Sequence, residues 1–133
     1  MRLPHVVVCM LLMAACGAPD GTASPELREG TVELRSERNL ALEVRAAAPI
    51  KLGKNELVVT FPSGPPGAAV ELVQASALMP AHGHGSKPPT IEKVGEGYRV
   101  TNLVLYMSGR WEVRFALRVD GHDDEALVGI GVP

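Results

Sequence analysis

Alternation of apolar and polar residues with a period of two is the feature that most constrains this sequence. It is clearest at 111–119, where Trp, Val, Phe, Leu and Val alternate with Glu, Arg, Ala and Arg. Side chains two residues apart share one face of a β-strand, so this pattern predicts a strand with one buried and one solvated face. Similar alternation occurs at 32–34, 40–44, 57–61, 70–72, 98–107 and 126–132.

Turn-forming residues separate these segments at regular intervals. The chain has 14 Gly and 11 Pro, and Ser63–Gly67 and Asp120–Asp123 are turn signals. About seven short strands with this spacing predict an all-β fold, an immunoglobulin-like antiparallel β-sandwich, with a small barrel as the alternative. The alternation changes phase at Thr101–Asn102, which predicts a bulge or a bend in that strand.

The N-terminal segment is typical of a signal for export, and we do not expect it to belong to the folded domain. An apolar run from Val6 to Ala15 follows Met1-Arg2, and this run is too short to span a bilayer. Ala14 and Ala15 precede Cys16, as in a bacterial lipobox, where the cysteine becomes the lipidated N-terminus. We therefore predict a lipoprotein signal peptide at 1–15, with an ordinary secretory signal cut near Ala15 as the alternative.

A polar, proline-containing stretch follows this signal. Residues 16–30 predict a flexible tether between the lipid and a folded domain at 31–133. With Cys9 removed and Cys16 acylated, the mature domain has no thiol and no disulfide, so its core alone must stabilise it. Gly17 after the cysteine resembles the sorting signal of outer-membrane lipoproteins. The expected location is the cell envelope, with the protein anchored in the outer membrane and facing the periplasm.

Charge and motif content argue against several functions. The formal net charge is -2 and no basic stripe is present, so we expect no nucleic-acid partner. No serine lies in a nucleophile motif, and Gly64-Pro65-Pro66-Gly67 lacks the lysine of a phosphate-binding loop. The sequence therefore predicts a binding or structural protein and not an enzyme.

One stretch carries side chains that bind metals. Met79-Pro80-Ala81-His82-Gly83-His84-Gly85 contains glycine and proline residues that predict a loop. Imidazole and thioether groups suit Cu(I), and Met107 lies in a predicted hairpin before Trp111. The candidate copper ligands are therefore Met79, His82, His84 and Met107. The alternative is structural, with both methionines and Trp111 in the core and both histidines solvated.

A weaker candidate lies between the last two predicted strands. His122 is followed by two aspartates, and a histidine beside carboxylates suits a hard or borderline cation. Polar residues of this kind are also typical of a solvated hairpin tip, which is the interpretation we favour.

The Met79–Gly85 loop also carries a resemblance to a known family. Together with Pro88-Pro89, Gly97-Tyr98 and Leu105–Val113, it resembles the YtkA-like domain, which is related to the FixH family. The likeness extends from Asn39 to Val132. It implies an immunoglobulin-like sandwich, an extracytoplasmic location and, for some relatives, a link to copper or to cytochrome oxidase assembly.

Two functions follow from the sequence as expectations. The first is a lipid-anchored, extracytoplasmic YtkA-like binding domain that binds copper through its Met/His loop. The alternative is a structural or protein-interaction module that docks on another envelope protein through a sheet face or edge.

Overall fold

Two packed β-sheets make up the part of the chain that the computed structural model describes, residues 25–62 and 69–133. The strands in these residues are β1 (Glu26–Leu27), β2 (Thr31–Arg35), β3 (Ala41–Ala46), β4 (Gly53–Thr60), β5 (Val70–Met79), β6 (His84–Gly85), β7 (Thr90–Val94), β8 (Gly97–Leu105), β9 (Gly109–Val119) and β10 (His122–Val132). The predicted all-β sandwich is confirmed. None of the described residues forms a helix long and apolar enough to cross a membrane.

The ten strands of the described residues exceed the predicted number of about seven. The three that the alternation does not predict are β1, β6 and β7. Both β1 and β6 have two residues, and β7 exposes nearly all of its side chains, so none shows a period of two. Sequence periodicity detects only strands that are long enough to alternate and that bury one face.

The sheets differ in order but share antiparallel pairing. One has the order β1-β10-β9-β5-β6 and the other has the order β2-β3-β4-β8-β7. Every pair of neighbours is antiparallel except β1 and β10, which run parallel. Between β9 and β10 the reversal takes place at Asp120 and Gly121, which both have positive φ. Such a two-residue turn matches the strand twist, so it is shorter than the predicted 120–123 turn and His122 already begins β10.

Strand β9 supplies the centre of the core. Its inward residues Trp111, Val113 and Phe115 have no exposed surface, whereas Arg110 and Arg114 on the other face are exposed. It pairs with β10 on one side and with β5 on the other. The alternation at 111–119 therefore predicted correctly which side chains are buried.

A bulge interrupts β8 where the sequence pattern changes phase. Asn55 pairs with Leu103 and Leu57 pairs with Val100, so β8 has one residue more than β4 across this interval. Asn102 accommodates the extra residue with a φ of 56°. The bulge predicted at Thr101–Asn102 is confirmed, and it returns Leu103 to the core.

The folded domain begins earlier in the chain than residue 31. Leu27 lies in the core with 1% of its surface exposed, inside the stretch predicted as a tether. The Gly129 amide donates a hydrogen bond of 2.9 Å to the Pro25 carbonyl, which secures this strand against β10. The signal peptide at 1–15, Cys16, the rest of the tether up to residue 24, and the turn at Ser63–Gly67 lie outside the described residues.

Replacing Leu27 with alanine tests whether β1 belongs to the domain. We expect Leu27→Ala to lower the free energy of unfolding by about 2–5 kcal/mol, because it opens a cavity in the core. The matched control is Leu52→Ala, at a side chain that is 50% exposed, for which we expect a change within about 1 kcal/mol. Urea unfolding curves measure both values. Equal losses would mean that Leu27 is not a core residue.

Candidate metal-binding site

Met79 is the last residue of β5 and lies in the core, with 2% of its surface exposed. Its terminal methyl is 3.2 Å from the position that a Cβ atom would occupy at Gly109. Gly109 has a φ of +120°, which residues with a side chain rarely adopt. The end of β5 therefore packs against the first residue of β9, and glycine at 109 makes that approach possible.

The chain reverses direction directly after Met79. The amides of His82 and Gly83 donate hydrogen bonds of 3.2 and 2.9 Å to the Met79 carbonyl. The returning strand β6 then pairs His84 with Met79 and Gly85 with Leu78. Directly opposed residues of antiparallel strands lie on one face with their Cβ atoms about 4.5–5.5 Å apart. His84 is therefore the cross-strand neighbour of the buried Met79.

The two loop histidines lie side by side. Their ring centroids are 6.3 Å apart and their planes differ by 14°. Both residues are exposed. A ring nitrogen binds a metal through a lone pair in the plane of its ring, so the two stacked imidazoles must turn their nitrogens toward a common point before they can share one ion.

Hydrogen bonds hold the returning arm of the loop against both sheets. The Ser86 amide donates to the Ala77 carbonyl of β5 at 3.0 Å, and the Ser86 hydroxyl donates to the Val104 carbonyl of β8 at 2.6 Å. The Tyr106 hydroxyl donates to the Gly85 carbonyl at 3.4 Å. Because these contacts connect strands of different sheets, they fix the loop across one end of the sandwich.

The β8–β9 connection forms the other wall of this region. Met107 is half-buried there and packs against the core. The Trp111 indole donates a hydrogen bond of 2.9 Å to the Met107 carbonyl, and its ring meets Tyr106 edge-on at 5.2 Å. Trp111 is fully buried, as its predicted role of core anchor requires.

The structure thus brings the rings of His82 and His84 together, pairs Met79 with His84 in the strand register, and puts Met107 in the turn between β8 and β9. Ser86 and Tyr106 were not foreseen as part of the site. The sequence carries no signal for Ser86, because its partner is a backbone carbonyl 18 residues away. The hydroxyl of Tyr106 bonds across 21 residues in the same way.

The residues that surround the site limit the kinds of ion that suit it. Within residues 25–62 and 69–133, no three side chains among His, Cys, Asp and Glu form a group that could hold a metal. The charged residue nearest in sequence to the two histidines is Lys87. The site therefore offers imidazole nitrogen and thioether sulfur, a soft donor set without carboxylate oxygens.

The weaker candidate at His122 has a structural explanation. Asp124 is buried, and one of its carboxylate oxygens accepts hydrogen bonds from the amides of Arg38 at 3.1 Å and Glu125 at 2.8 Å. This carboxylate fastens the β2–β3 turn to β10. Asp123 is exposed and lies 3.7 Å from Arg118. His122 and Asp123 are exposed, as the sequence suggested, whereas Asp124 is not.

Comparisons with known proteins give no match for this chain among family models, curated proteins or solved structures. The YtkA-like and FixH-related assignment therefore stays a prediction from the residues quoted above.

Replacing Ser86 with alanine tests whether the hydroxyl positions the loop. We expect Ser86→Ala to lower the free energy of unfolding by about 1 kcal/mol, because the Val104 carbonyl loses its partner. Amide hydrogen exchange at 82–85 should become faster. Ser76→Ala is the matched control, since Ser76 lies on β5 opposite Arg114 of β9 and not opposite the returning strand β6. Unchanged exchange at 82–85 in the Ser86 variant would show that the loop is held by other contacts.

Proposed function

We propose that this protein is a lipid-anchored binding protein of the cell envelope that binds Cu(I) between His82 and His84. Met79 and Met107 would supply thioether sulfur from the wall behind the two imidazoles. The observation that carries the proposal is the pair of near-parallel imidazole rings 6.3 Å apart on a braced loop, with Met79 cross-strand from His84.

The donor set favours Cu(I) over the other common ions. Ca²⁺ and Mg²⁺ prefer oxygen ligands, and the described part of the chain places no acidic group with these histidines. Structural zinc sites use four nitrogen, sulfur or oxygen ligands in a tetrahedral arrangement. Cu(I) accepts thioether and imidazole ligands, and it needs fewer ligands than the four of a structural zinc site. Soft neutral donors also retain the ion where thiolates would oxidise.

The sequence supplies the support for the location. The apolar run before Cys16 and the small residues next to it favour lipidation. The resemblance to YtkA-like domains favours an extracytoplasmic domain linked to copper. With Cys16 acylated, the mature domain has no free thiol and offers methionine and histidine as its soft ligands, which agrees with an oxidising compartment.

Cu(I) titration of the purified protein tests the proposal directly. We expect uptake of one equivalent, which His82→Ala or His84→Ala reduces by at least about tenfold in affinity, because each variant removes one of two nitrogen ligands. His122→Ala is the matched control, an exposed histidine at the start of β10 that should leave uptake unchanged. Competition with a chromophoric Cu(I) chelator measures the affinities. Uptake that survives both loop substitutions would place the site elsewhere.

A thioether role for Met79 has a separate test. Met79→Leu keeps the volume of a buried side chain and removes only its sulfur, so we expect a stability change below about 1.5 kcal/mol. Cu(I) affinity should nevertheless fall. Met107→Leu provides the comparison at the half-buried position. If Met79→Leu binds Cu(I) as the unchanged protein does, Met79 is a core residue alone and the imidazoles act without it.

One observation favours the interaction module as a second candidate. Leu78, Tyr106 and Leu52 are between 44% and 50% exposed. Tyr106 bonds Gly85, Leu78 pairs with Gly85, and Leu52 precedes Gly53, the partner of Leu105. Apolar side chains are thus grouped around the loop, as they are at many protein-binding surfaces. Binding of a partner by metal-free protein with both loop histidines replaced would favour this second function.

A further inference from the structure

A depression lies on the outer face of the sheet that contains β8. It has a volume of about 460 Å³, and small-molecule sites have volumes of roughly 300–1,000 Å³. Gly97 and Leu105 are the two ends of β8, and a strand of this length spans roughly 25 Å. The depression beside Gly97 is therefore remote from the histidine loop beside Leu105.

Gly97 lines this depression and packs closely against β4. It is the Cα partner of Val94 on β7. A Cβ atom at Gly97 would lie 2.9 Å from the Val59 carbonyl oxygen and 3.0 Å from the Thr60 methyl, so no side chain fits there. Thr60 and Val94 lie on the two sides of Gly97 and line the depression together with it.

Two arginines line one side of the depression. Arg45 on β3 and Arg99 on β8 are both Cα partners of Val58, so the three side chains share the outer face. Arg99 lies 3.1 Å from Glu56, and this ion pair is exposed and therefore weak. Arg45 is exposed and forms no ion pair with any carboxylate in the described part of the chain. Among the described residues, the Arg45 guanidinium therefore has no carboxylate partner and that of Arg99 has a weak one.

Apart from Thr60 and Glu96, the rest of the lining is mainly apolar. Phe61 is partly buried and packs edge-on against Tyr98 at 6.2 Å, and Val94 is 46% exposed. Glu96 is the acidic residue of the lining, and it lies in the β7–β8 turn on the far side of Gly97 from Arg45. The charge of the cavity is therefore positive at the Arg45 side, and its floor is apolar.

We propose that this cavity binds a small amphiphilic anion, a carboxylate carried on an aromatic or short acyl body. The carboxylate lies between the guanidinium groups of Arg45 and Arg99, which present paired N–H donors to it. The body lies over Val58 and against Phe61, away from Glu96. This site is independent of the copper proposal, because it shares no residue with the histidine loop.

Cinnamate is a suitable probe, and cinnamamide is its neutral counterpart of the same shape. The protein is isotope-labelled and purified in the form that the expressing cells produce. It is then titrated with each compound, and NMR records the spectra. We expect cinnamate to shift the amide signals of Val58, Gly97 and Arg99. Cinnamamide should bind about tenfold more weakly, since it forms no charge-assisted hydrogen bond.

Arginine variants test which guanidinium group binds the carboxylate of the ligand. Arg45→Gln should weaken cinnamate binding about tenfold and leave cinnamamide unaffected. Arg114→Gln is the matched control, an exposed arginine on the outer face of the other sheet. The proposal is overturned if cinnamate shifts no signal around Gly97, if both probes bind equally, or if Arg45→Gln and Arg114→Gln have the same effect.

Discussion

The antiparallel pairing of β9 with both β10 and β5 is the interaction on which the rest of this structure depends. All eleven residues of β9 pair with β10, and this is the longest uninterrupted strand pairing among the described residues. The inward half of the strand contributes Trp111, Phe115 and their apolar neighbours to the core. Only 4% of the residues are aromatic, so these two side chains supply a large share of the aromatic surface that folding buries.

The same strand determines where the candidate metal site lies. β9 begins at Gly109, and its first inward residue, Trp111, reaches back to the Met107 carbonyl and closes the turn from β8. Its partner β5 ends at Met79 at the same height, where the methionine side chain fills the space above Gly109. A loop that leaves β5 at this point must cross the open end of the sandwich. Ser86 and Tyr106 then hold the loop in that position.

Sequence predicted the elements whose burial is periodic. The alternation at 111–119 and the phase change at Thr101–Asn102 each have one physical cause, the two-residue repeat of a strand and its interruption by one extra residue. Leu27 was missed because a two-residue strand in a polar segment has no period. Met79 was expected in a loop, yet it is the last residue of a strand, since β5 continues as far as Pro80 permits.

The candidate site could be predicted in composition but not in geometry. The spacing of His82 and His84 indicated that both could face one ion, and Met79 and Met107 were named from their chemistry. The distance between the rings, the burial of Met79 and the contacts of Ser86 arise from long-range packing that no local pattern encodes. The close packing of Gly97, which lines the cavity beside the arginines, against the carbonyl of Val59 is a long-range contact of the same kind.

Copper binding as proposed requires one soft ion that both loop imidazoles share. Its most direct test is NMR of the histidine side chains during titration with Ag(I), a redox-stable substitute for Cu(I). We predict that the ring signals of His82 and His84 shift together and saturate at one equivalent, while those of His122 do not move. Independent saturation of the two histidines, or shifts of equal size at all three, would contradict the account.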